Sequence, residues 1–144
     1  MADGLKEIEP GVSVPAEDAE AVWEALDKYL DNFRMPIGEY LDAHIETCVF
    51  PHVRIASQQV MVFPDAAAYH DVGMHAGDFT QSGWDHSAWT QRRIVQAHPE
   101  KIHVAVSFDR FDKDGELVGA EESFYIMEKI DGRWGVRGRS SFAK

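Results

Sequence analysis

"EKIHVAVSFDRFDKDGELVGAEESFYIMEKIDGRWGVRGRSSFA" (residues 100–143) alternates with a period of two and is cut twice by turn signals, which predicts three antiparallel strands. "DKDG", Asp112 to Gly115, suits a type I turn closed by a glycine bulge, and "DG", Asp131 and Gly132, suits a two-residue type I′ turn. Counted from the first turn, Phe111 pairs with Leu117, Ser107 with Glu121, Ala105 with Ser123 and His103 with Tyr125. Counted from the second, Lys129 pairs with Trp134, Tyr125 with Gly138 and Ser123 with Ser140. One expected face then mixes His103, Ser107, Ser123, Tyr125 and Ser140 with Met127, Trp134 and Val136. Such a face suits a ligand pocket, with apolar walls and a few placed polar groups. The alternative is a packed face whose hydroxyls each bond locally. The opposite expected face, Val104, Val106, Phe108, Phe124 and Ile126, is apolar enough to be a second core layer or the contact of a homodimer.

Upstream of these strands the period is helical. In "PAEDAEAVWEALDKYLDNF", Pro15 and an acidic first turn mark a start, and Val22, Leu26, Tyr29 and Phe33 recur on one face. Pro36 ends that helix or opens a second, whose apolar stripe includes Tyr40, Leu41 and His44. β-branched residues around "SQQ" suggest a short hairpin, Pro64 and Asp65 begin a further helical piece, and "AWTQRRIVQAHP" reads as a long, curved strand. Helices first and a long antiparallel sheet afterwards make an α+β domain. Residues 1–15 show no period and are expected to form a loose arm, leaving residues 16–144 as a single domain.

Composition narrows the function classes. A chain of 144 residues can bury a core without staples, and 44% apolar with 27% charged residues is ordinary for a globular protein. The formal charge of −11 repels a phosphate backbone, and no basic stripe offsets it, so neither nucleic acid nor an anionic membrane surface is an expected partner. No apolar run approaches the roughly 18 residues of a membrane span, and the N-terminus lacks a signal-peptide pattern. The lone Cys48 cannot form an internal disulfide, so a cytoplasmic location is expected.

The order of these elements resembles the nuclear transport factor 2-like superfamily and, within it, the SnoaL-like proteins, over roughly residues 16–143. The pieces that carry the resemblance are "FPHVRIASQQVMVFPD" (50–65), "HVAVSFDRFDKDGEL" (103–117) and "GRWGVRGRSSF" (132–142). The resemblance implies a cone, in which a curved antiparallel sheet wraps around N-terminal helices with an internal pocket, often dimeric through the sheet's outer surface. Enzymes of this superfamily include ketosteroid isomerases, scytalone dehydratases and polyketide cyclases, and other members only bind or scaffold. They generally use no metal or organic cofactor, working by proton transfer with Asp, His and Tyr.

Proton transfer of that kind needs a base and a donor for the developing oxyanion. His103 and Tyr125, paired across strands in the expected register, fit those roles, and His52 in "FPHV" is a further base candidate. Tyr29, Phe33, Trp89, Ser107, Ser123 and Ser140 are expected to bind the substrate, and Asp109 reads as a rim carboxylate. Arg92 and Arg93 could hold a substrate carboxylate or lie exposed on a strand. A metal must also be weighed: His44, Cys48 and His52 are spaced by four, as are Asp71 and His75, with His70 and His86 nearby. Pro51 breaks the first spacing and no tight ligand pair occurs, so no metal is expected. The expected function is a cofactor-free lyase or isomerase acting on a small cyclic or aromatic molecule. The alternative is a binding or scaffold protein with the same cavity and no turnover.

Overall fold

The computed structural model describes residues 4–74 and 83–142. Among them are three helices, α1 (Ala16–Asp31), α2 (Ile37–Ile45) and α3 (Ala66–Met74). The strands are β1 (Leu5–Ile8), β2 (Cys48–Ala56), β3 (Gln59–Phe63), β4 (His86–His98), β5 (Lys101–Phe111), β6 (Leu117–Ile130) and β7 (Arg133–Ser141). They form one curved, unclosed sheet in the order β1-β4-β5-β6-β7-β2-β3, with β2 parallel to β7.

Each helix follows from its sequence. Pro15 sits at the N-cap of α1 with φ −57°, Glu17 and Asp18 occupy the positive end of the helix dipole, and Lys28 lies in the last turn. Val22, Leu26 and Tyr29 form the buried face of α1 and share one core with Ile94, Ile102, Val104 and Met127 of the sheet. Full burial of side chains this size contributes roughly 1.5–3 kcal/mol each. The Trp134 indole N–H donates to Asp18 Oδ1 at 3.1 Å, tying α1 to β7. Asp65 caps α3, its Oδ1 accepting from the Ala68 N–H at 2.9 Å.

Both hairpin turns form as expected. The Asp112 N–H donates to the Glu116 carbonyl at 2.9 Å, Gly115 takes φ +83°, and Asp131 and Gly132 take φ +53° and +79°. Phe111 pairs with Leu117 and Lys129 with Trp134. Beyond each turn, however, the register slips by one residue. Arg110 pairs with Gly119, leaving Val118 as an extra residue in β6, and Ile126 pairs with Gly138, leaving Arg137 extra in β7. Tyr125 therefore stands opposite Val104 and Arg139, His103 opposite Ile126, and Ser123 opposite Ser141.

One extra residue turns every later side chain to the other face. Val104, Val106 and Phe108 thus lie buried in the molecule's own core, while Phe124 and Ile126 sit half-buried on the convex side. The apolar face expected from turn-counting is divided between the two sides of the sheet.

Residues 5–8, expected within a loose arm, add β1 as a parallel edge strand on β4, with Leu5 opposite Gln91 and Ile8 opposite Ile94. All four are exposed, so the strand carries no alternation to read. Cross-strand polar contacts hold it: Gln91 Nε2 donates to Glu7 at 2.7 Å, and Arg93 approaches Glu9 at 3.5 Å. No helix among the described residues is long and apolar enough to cross a membrane.

Candidate active site

A row of side chains crosses the concave face: Val104 on β5, Tyr125 on β6, Arg139 on β7 and Arg54 on β2 are successive neighbours in the ladder. Three helices close over it. α1 brings Tyr29, α2 brings His44 and α3 brings Tyr69, while β2 adds His52 one inward position before Arg54. Tyr29, His44, His52 and Tyr125 are each about 1% exposed. The Tyr29 and Tyr125 rings meet edge to face at 5.3 Å, and the Arg139 guanidinium lies over the Tyr125 ring.

The two histidines differ in what remains free. His44 Nδ1 lies 2.8 Å from the Tyr29 carbonyl, which can only accept, so that nitrogen carries the proton. Its Nε2, 2.9 Å from the Tyr69 hydroxyl, then accepts from that hydroxyl. Both ring nitrogens are committed, and His44 joins α1, α2 and α3. His52 donates from Nδ1 to the Val136 carbonyl at 3.0 Å, and its Nε2 has no partner among the described residues. That leaves one basic lone pair in the cluster.

Burial sets the charges. It lowers the pKa of His44 to about 3 and of His52 to about 4, so both rings are neutral at physiological pH. Burial likewise raises Tyr125 and Tyr69, which stay protonated as hydroxyl donors. Arg54 is lowered by burial and by Arg139 beside it. For Arg139 burial opposes the charge, but Tyr125 and Tyr29 outweigh it and the net shift is upward. A neutral acceptor, hydroxyl donors and guanidinium cations therefore meet in one buried region.

A separate open hollow of about 1040 Å³ runs between α1, α2 and β7, lined in part by Lys28, Asn32, Thr47, Cys48 and Arg133. It is larger than its chemistry warrants, since it holds no histidine or tyrosine, and burial pushes the Cys48 thiol up to about 12, away from reactivity. Size and chemistry disagree, and the site follows the chemistry.

Family models give no match to the sequence, and neither do the curated proteins. Solved structures do match along nearly the whole chain. A Nostoc punctiforme protein of unknown function with a cystatin-like fold superposes with a TM-score of 0.74 at 11% identity, over 91% of this chain and 94% of that one. An NTF-2-like protein of unknown function from Shewanella oneidensis gives 0.68 at 13% identity, covering 87% and 98%. A ketosteroid isomerase-like protein from Erwinia carotovora atroseptica gives 0.66 at 15%, covering 89% and 97%.

The chain has the nuclear transport factor 2-like fold.

Within that fold, Tyr125, His52, Tyr29, Trp89 and Ser123 lie in the interior, and Phe33 packs at its margin, its ring tilted 5.2 Å from the His44 ring and 5.1 Å from Trp84. Trp89 meets Tyr125 at 5.9 Å. His103, Ser107 and Ser140 lie on the opposite side, away from Tyr125, because of the bulge at Val118 and the bulge at Arg137. His103 bonds instead to Gln96 Oε1 at 2.7 Å on the convex surface. Ser123 pairs with Ser141, hydroxyl to hydroxyl at 2.8 Å.

Arg92, weighed from sequence as a carboxylate binder or an exposed residue, is fully buried and paired with Asp27 at 2.7 Å. Among the described residues no three His, Cys, Asp or Glu side chains are grouped to hold one metal; His75 lies outside those residues. Turn-counting missed Arg54, Arg139 and Tyr69 as site residues.

Proposed function

We propose that the protein is a cofactor-free lyase or isomerase that moves a proton on a small cyclic or aromatic molecule bound against the concave face. The observation that carries this reading is the pair formed by His52, with Nδ1 held by the Val136 carbonyl and Nε2 free, and the Tyr29–Tyr125–Arg139 donor group. His52 Nε2 takes a proton from the carbon next to a carbonyl. The C–H electron pair becomes the C=C bond of an enolate while the carbonyl π pair moves onto oxygen, and the tyrosine hydroxyls and guanidinium stabilise that oxyanion. In an isomerase, the imidazolium returns the proton to a different carbon. In a lyase, the electron pair instead expels a β-hydroxyl group, which leaves as water with the proton from His52.

His44 positions the groups without transferring a proton, because both of its nitrogens are occupied. Similarity in fold to a ketosteroid isomerase-like protein supports the same reading. A binding protein without turnover is the second reading, and the low basicity of His52 favours it, since a general base works best with a pKa near the working pH.

The test is deuterium wash-in. The wild-type protein is incubated in D2O with a panel of cyclic and aryl ketones, and exchange at the α-carbon is followed by NMR. Catalysed exchange that falls by about 10² or more in His52→Ala supports the enzyme reading. Exchange unchanged in that variant would sink it.

A further inference from the structure

We infer that the molecule bound at this site carries a carboxylate, held by Arg139 and Arg54, so that the substrate class is a small cyclic or aromatic acid. The inference rests on the reading of the concave face as the ligand site. It starts from a missing charge. Arg139 is 7% exposed, and its Nε is buried without any hydrogen-bond partner. Arg54 lies beside it, paired in register across β7 and β2. Among the described residues neither guanidinium forms an ion pair with an Asp or Glu.

The nearest ionisable neighbours, Tyr29, Tyr69, Tyr125, His44 and His52, offer hydroxyls and neutral rings and no negative charge. This happens in a chain whose formal charge is −11. The fold's other buried arginine shows the usual solution: Arg92 is compensated by Asp27 at 2.7 Å. A guanidinium taken out of water without a counter-charge costs several kcal/mol, and an anionic ligand removes that cost.

The chemistry of the surroundings selects the anion. A guanidinium edge presents parallel N–H groups that match the two oxygens of a carboxylate. The Tyr29, Tyr125 and Trp89 rings around it suit a flat or cyclic organic body.

Calorimetry on the full chain, in buffer free of other carboxylates and phosphate, tests this with benzoate and cyclohexanecarboxylate against their neutral amides, and with inorganic phosphate. The expected result is a carboxylate bound at least about tenfold tighter than its amide, with the preference lost in Arg139→Met and partly kept in Arg139→Lys. Arg54→Met, at a more accessible position, serves as the second variant if Arg139→Met fails to fold; it should weaken carboxylate binding about tenfold and amide binding little.

Equal binding of acid and amide, binding of phosphate alone, no binding by either acid, or wild-type preference in the folded arginine variants overturns the inference. The proton-transfer reading is judged separately by deuterium exchange. Acid preference without exchange keeps the carboxylate site and rejects turnover; exchange on neutral ketones without acid preference does the reverse.

Discussion

Tyr125 stands opposite Val104 across β5 and β6, and this pairing turns its ring to the concave side while His103, one position earlier than Val104, turns to the convex side. The two residues that turn-counting joins are therefore separated by the thickness of the sheet. His103→Ala should leave ligand binding and turnover within about twofold of wild type and change stability by about 1 kcal/mol, since it removes a partly exposed contact with Gln96 and an edge contact with Phe124 on the convex side. Tyr125→Phe keeps the ring and its edge contact with Tyr29 and removes only a buried hydroxyl, costing about 1 kcal/mol of stability or less and about tenfold or more in turnover. Parallel kinetics and urea melts check both; the opposite ranking would refute the site assignment.

His44 should matter for stability above all. His44→Ala strands the Tyr29 carbonyl and the Tyr69 hydroxyl and opens a cavity where three helices meet. The expected loss is about 3 kcal/mol, read from the urea midpoint. His44→Gln, which can still donate and accept, should recover part of it. No recovery would mean that ring packing against Tyr29 and Phe33 dominates.

Acid should destabilise the fold before its carboxylates titrate. His44 and His52 ionise near 6.5 when unfolded and at about 3 and about 4 when folded, so between those values the unfolded chain binds more protons. The stability contributed by keeping both rings neutral is complete above pH 6.5 and is lost as pH falls through that value toward 4 and 3. Each ring contributes a slope approaching about 1.4 kcal/mol per pH unit. Urea midpoints that stay level from pH 7.5 to 5.5 would contradict this, and His52→Phe should reduce the slope.

The Arg92–Asp27 pair should respond unequally to loss of either partner. The Arg92 side chain is 0% exposed and Asp27 is 38% exposed. Asp27→Asn leaves a cation enclosed between Trp23 and Trp89 with a neutral amide in place of its carboxylate, whereas Arg92→Met leaves a carboxylate that water can reach. Asp27→Asn should cost about 3 kcal/mol or more and Arg92→Met less. Thermal melts of the two variants decide the order.

The helices, the hairpins and the fold were legible because they are written in periods and turn residues: Pro15 before an acidic turn, Val22 to Tyr29 at helical spacing, and Asp131–Gly132 between strands. The site was only half legible. Each register was right at its turn and wrong a few residues on, since a bulge at Val118 or Arg137 has no hydrophobic signature. A glycine does follow each, Gly119 and Gly138, and an isolated glycine within a strand pattern is the one local sign of a bulge. Reading it would have brought Arg139 inward beside Tyr125. Arg54 and Tyr69 gave less warning: an arginine on a short hairpin and a tyrosine on a brief helix look like surface residues until the helices close over them.

The bulge at Val118 also bears on how such a domain can diverge. Drawing Val118 into regular pairing, without touching either turn, would set Phe124 opposite Val104, and Tyr125 and Met127 would exchange sides with Phe124 and Ile126 relative to β5. Two descendants of one ancestor could then align almost letter for letter while presenting opposite residues to the interior. For this fold the gain or loss of one bulge is a larger chemical event than many substitutions, and kinship of function should be judged by strand parity before residue identity.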